Sequence, residues 1–93
     1  MVNAPPKARR VKRCWVLVRR SRRDLKGAET LKLTIRGVGY TPVFTTHAKC
    51  LEFARAATLH GHDVSSFDIF ETAGLVCIPM VNPDPAEVMA RSR

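Results

Sequence analysis

No stretch of this chain approaches the ~20 consecutive apolar residues that a membrane-spanning helix needs. The longest early apolar run, CWVLV (Cys14–Val18), is also too short for the apolar region of a secretory signal, so an intracellular, cytoplasmic setting is expected, or a nuclear one in a eukaryote. Cysteine is scarce and odd in number: Cys14, Cys50 and Cys77 are far apart, without CxxC spacing. A disulfide framework uses an even set, so three reduced, core-filling thiols are the simpler expectation. Paired carboxylates and phosphate-cradling glycine loops are lacking: GVG at 37–39 has none of the further elements of a nucleotide fingerprint. His60 and His62 with Asp63 form HGHD, yet no further ligand stands at a metal-site spacing. A Cys50–His47 nucleophile pair would have no third group to orient it. Neither an enzyme nor a cofactor or metal site is expected.

Acidic residues are rare where basic ones crowd. Residues 1–36 carry twelve Lys/Arg against Asp24 and Glu29, while residues 37–93 carry four against six, so a net +10 and a net −2 make the formal +8. One third of the chain therefore generates the positive field that would draw polyanions. Two runs hold most of it, KARRVKR (Lys7–Arg13) and RRSRR (Arg19–Arg23), on either side of CWVLV. Eight of the twelve cations are arginine, whose planar fork suits bidentate phosphate contact.

With 93 residues there is room for one core. Residues 1–12, with two prolines and no apolar periodicity, read as a flexible basic arm before a single domain, 13–93. In CWVLV, Trp15 and Leu17 alternate with Cys14, Val16 and Val18, all apolar, which suits a central strand covered on both sides. Residues 21–29 read as a loop. Leu31, Leu33 and Ile35 alternate with polar residues as a second strand, most simply the antiparallel hairpin partner of the first. RGVGY (36–40) is a turn signal. Residues 40–45 can form a third strand, with Pro42 confined to an edge or to its start. Thr45 or Thr46 caps a helix over 47–60 whose face is Cys50, Phe53, Ala54 and Ala57, and Gly61 ends it. VSSFDIF and LVCI are strands, the latter's ladder ending near Pro79. Asp84-Pro85-Ala86-Glu87 has the spacing of a helix start, giving a short helix over 85–91. The fold class is α+β: an antiparallel sheet of about four to five strands, one main helix on one face, and a short C-terminal helix.

RGVGYTPVF, followed by a helix and LHGHDV, resembles in part the second half of an RNA recognition motif. Arg36, Gly37, Gly39 and Tyr40 match that family's central-strand signature, and Val38 stands where it has a stacking aromatic. Only 17 residues separate CWVLV from RGVGY, too few for the helix and strand that fold places there, so the family is not adopted. Tyr40 is kept as a candidate base-stacking residue.

The function expected is a non-catalytic nucleic-acid-binding module, for DNA or RNA. Its contact residues are Lys7, Arg9, Arg10, Lys12, Arg13, Arg19, Arg20, Arg22, Arg23 and Lys26, with Tyr40 beside them. The alternative is a small protein-interaction module, an adaptor or inhibitor, docking its basic face on an acidic protein or ribonucleoprotein surface. It could add strand pairing at an edge near 40–44 or 75–78. A structural subunit of a ribonucleoprotein is a third expectation.

Overall fold

A computed structural model describes residues 7–19 and 29–91. Eight strands and two helices follow in the order β1 (Arg9–Arg10), β2 (Cys14–Arg19), β3 (Glu29–Thr30), β4 (Leu33–Ile35), β5 (Val38–Val43), α1 (His47–Leu59), β6 (Phe67–Thr72), β7 (Val76–Cys77), β8 (Pro79–Val81) and α2 (Pro85–Arg91). The strands form small sheets, β3-β2-β6, β4-β5-β8 and β1-β7. The α+β class, the main helix and the short terminal helix are as expected, with the sheet divided into shorter pieces.

The long partner of β2 is β6, from Cys14↔Thr72 to Arg19↔Phe67, and β1 continues the same register with Arg9↔Cys77 and Arg10↔Val76. Residues 9–19 and 67–77 thus follow one antiparallel ribbon of two ladders, whose paired position numbers sum to 86, interrupted at 11–13. Between the two ladders, Val11 donates to the Leu75 carbonyl and Gly74 donates to that of Val11. The expected hairpin of CWVLV with 31–35 is corrected. Only Glu29 and Thr30 pair with Arg19 and Val18, and Leu31 donates to Leu17 before the chain crosses to pair Leu33 with Tyr40. The apolar alternation from 31 to 35 is real, but two different neighbours share it.

Alternation along β2 works as its sequence implies. Leu17 lies in a core with Phe44, Cys50, Phe53, Ala57 and Val88, against which Trp15, Phe67 and Ile69 pack. Cys14 and Val16 face the opposite way into a second cluster with Val11 and Val43. A two-way hydrogen bond between Trp15 and Phe44 ties β5 to β2, and the Phe44 and Phe53 rings meet at 5.3 Å. Of the cysteines, Cys14 and Cys50 are buried, Cys77 is half-buried, and all three are free thiols.

Local chemistry sets the element ends. Arg36 and Gly37, at φ 52° and 79°, form the two-residue turn between β4 and β5, both central residues having the positive φ of a type I′ hairpin. Thr46 caps α1 by accepting from the Lys49 N–H at 3.2 Å. At the other end His62 donates to Ala57 and Gly61, at φ 86°, donates to Thr58, the paired bonds of a Schellman motif. HGHD is therefore used in stopping the helix. Asp84 caps α2 by accepting from Ala86 at 3.0 Å.

Pro42 was expected at an edge or a strand start, yet it lies inside β5, between β4 and β8. Successive residues of a strand aim their N–H groups at opposite edges. Thr41 donates toward β8 and Asn82 donates back to Val43, so Pro42 faces the other edge, where the β4 ladder has already ended at Tyr40. The β7 ladder ends at Cys77, just before Pro79 as expected, and Pro79 then opens β8, which runs parallel to β5.

Candidate nucleic-acid interface

The basic segment Lys7–Arg13 is less of an arm than its composition implies. Arg9 and Arg10 pair with β7, and Val11, the one large apolar residue in the run, is 8% exposed in the second core cluster. One buried valine plus two strand pairs outweighs the freedom that the flanking charges would otherwise favour. The flexible arm expected over 1–12 is thus corrected from Arg9 onward.

Arg9, Arg10, Lys12 and Arg13 are exposed and border one groove of about 270 Å³, together with Val43, Thr45 and Val81. Arg13 stands 3.9 Å from Glu71, both ends in solvent; such a pair contributes little and is screened by salt. The Arg10 guanidinium reaches across the ladder to Gly74. Lys7 is exposed just before β1.

At the far end of β2, roughly 20 Å from Arg13 at strand rise, Arg19 lies over the Phe67 ring, 4.9 Å from its centroid. Phe67 is its directly opposed partner, so this contact holds the arginine at the end of the ribbon. Nearby, Asp63 is held below the ordinary carboxylate range by the Ser65 hydroxyl and backbone N–H, with a smaller contribution from Arg19. Arg19 also borders a second groove, of about 540 Å³, with Lys32, Glu29 and Phe67. Arg20, Arg22, Arg23 and Lys26 lie outside the described residues.

Tyr40 is not part of either groove's lining. It opposes Leu33 across the β4–β5 ladder, and Leu33 packs on the helix-side core. Residues directly opposite share a face, so the half-buried tyrosine lies on the Leu33 face of that ladder. The edges expected to accept a partner strand are paired in part: β5 pairs with β4 over 38–40 and with β8 over 41–43, and β7 pairs with β1 on one side.

Sequence reasoning missed Thr45, Val81 and Asn82. The Asn82 side-chain oxygen accepts from the Thr45 N–H at 3.0 Å, its amide donates to the Thr45 hydroxyl at 3.1 Å, and its backbone N–H donates to Val43. At φ 46°, it adopts a conformation that asparagine tolerates better than most residues. Asn82 precedes Pro83, a pair that favours a turn, but nothing local shows that it would clip the start of α1. Comparison of the chain with models of protein families, with curated proteins and with solved structures gives no match.

Proposed function

We propose that this chain is a non-catalytic module that binds nucleic acid chiefly through its phosphates, using the basic groups at the two ends of β2. One observation carries the reading. The ladders Arg9↔Cys77 to Arg10↔Val76 and Cys14↔Thr72 to Arg19↔Phe67 lie in line, with Val11 hydrogen-bonded to Leu75 and Gly74 between them, so the cations of 9–13 and Arg19 are held on paired backbone and not on a tether. Cations whose spacing is set before encounter lose less freedom on binding than those of a floppy tail. The exposure of Arg9, Arg10, Lys12, Arg13 and Arg19 leaves them reachable by a polyanion.

A salt-titrated binding assay tests it. With six cations on a duplex, log K falls against log[salt] with a slope near −5. Changing Arg19, Arg20, Arg22 and Arg23 together to Ala reduces that steepness by about 3.6, at 0.9 per lost contact, and leaves the circular dichroism spectrum unchanged. An unchanged slope in a folded variant rejects the assignment of those arginines. A complex captured from cells that withstands nuclease and moderate salt moves the reading to an acidic protein surface, the second candidate.

A further inference from the structure

We propose that the groove beside Arg9, Arg10, Lys12 and Arg13 seats single-stranded nucleic acid, its phosphates on the cations and an unpaired base against Val81 and Thr45. This rests on the nucleic-acid reading above and adds the strand state of the ligand and the place it lies.

Size comes first. At about 270 Å³ the groove admits one base with its phosphate and no double helix. Chemistry points the same way. Beneath the cationic wall lie Val11, Cys14, Val43 and Phe44, and Val81, 54% exposed, stands at the rim. A duplex turns its base faces inward and meets a protein with sugar, phosphate and groove edges. An unpaired base offers a flat apolar face, and covering Val81 with it removes apolar surface from water on both partners. Bare phosphate binding would make no use of that rim. Because every base presents a flat apolar face and the rim offers no base-edge hydrogen-bond pattern to read, the seat is tolerant of sequence.

Both walls are held before any ligand arrives. Arg9 and Arg10 are strand-paired to β7 and Val11 is anchored in the core. Across the groove, Thr45 is fixed by Asn82, and Val81 pairs with Val43. Little ordering cost then falls on the complex. Four contacts on a single strand give a salt slope of about −3.

The test is fluorescence anisotropy with a short labelled single strand of mixed sequence, the same sequence as a closed duplex hairpin, and polyglutamate of matching charge as competitor. The expected result is single-strand binding about tenfold tighter than duplex binding, with polyglutamate a poor competitor. Val81→Asp, which places a carboxylate at the rim, costs the single strand about tenfold. A thiouridine-bearing oligonucleotide crosslinked to the wild-type protein marks peptides containing 43–45 or 81, which keeps the location testable if the variant fails to fold. Duplex binding equal to or tighter than single-strand binding, or crosslinks confined to other segments, overturns the groove inference while the phosphate-binding reading stands. Failure to bind any nucleic acid at low salt removes that reading itself. Polyglutamate competing on equal terms reassigns the groove to an acidic peptide.

Discussion

Arg36 occupies a backbone conformation that suits it poorly. At φ 52° its Cβ meets the crowding that makes left-handed geometry cost roughly 1–2 kcal/mol for an L-residue with a side chain. The turn tolerates it because Gly37 supplies the other positive φ and the ladder from Ile35↔Val38 to Leu33↔Tyr40 holds both strands. Arg36→Asn is expected to stabilise the protein by about 0.5–1 kcal/mol, and Gly37→Ala to destabilise it by about 1 kcal/mol; urea denaturation reads both. A loss of stability in Arg36→Asn would mean that the arginine side chain makes up for its backbone elsewhere.

Cys50 gives a pH signature. Burial pushes its thiol from 9.0 up to about 11, so the native state keeps a proton that the unfolded chain releases first. Its contribution is therefore intact below pH 9 and is lost as pH rises toward 11. Cys14, raised by burial and then by neighbouring Cys77, acts in the same direction. Denaturation midpoints followed across that window are expected to fall less steeply in Cys50→Ala than in the wild type, and equal slopes would show that the thiol does not contribute.

Among the elements, α1 and α2 were the most legible, because their start and stop signals act within four or five residues. Thr46, Gly61 and Asp84 each bond to a backbone group of the adjacent turn, and no distant residue competes for them. Strand partners were the least legible. The 31–35 run carries the alternation of a strand whichever neighbour it meets, and only packing assigns Leu31 to β2 and Leu33 to β5. Pro42 misled for a related reason: its missing donor matters only on the edge where a partner requires one. At this scale β1 gives a direct test. Val11→Ala removes about two buried methylene equivalents, near 1.5 kcal/mol, and is expected to raise amide exchange at Arg9 and Arg10 above that of β2. A variant as stable as the wild type, with unchanged exchange, would show that the β1–β7 ladder does not depend on this anchor.

For the molecule as a whole, charge asymmetry and site geometry come from different levels. That residues 1–36 hold twelve of the sixteen cations was plain from composition. That Arg9 to Arg13 share a groove with Thr45 and Val81 was not, since it requires β5 and β8 to run parallel beside the second core cluster. The two basic ends are expected to act together. Arg9, Arg10 and Arg13 changed to Ala, and the four arginines of 19–23 changed to Ala, should each weaken duplex binding. Combined, they should cost more than the product of the separate losses, because either intact end raises the effective concentration of the other. Strictly additive losses would indicate two independent contacts.

Composition and short-range pattern were enough to establish the α+β class, the two helices with their caps, the two-faced character of Cys14–Val18 and the cationic first third. Each of these follows from propensities and bonds that operate within one turn of helix or a few residues of strand. The pairing of β2 with β6, the parallel β5–β8 ladder, the anchoring of Val11 and the Asn82 clip on Thr45 came from the assembled chain. Their pairings and hydrogen bonds join residues 37 to 68 positions apart, where a choice among partners depends on which faces can be buried together, and no neighbouring residue carries that information.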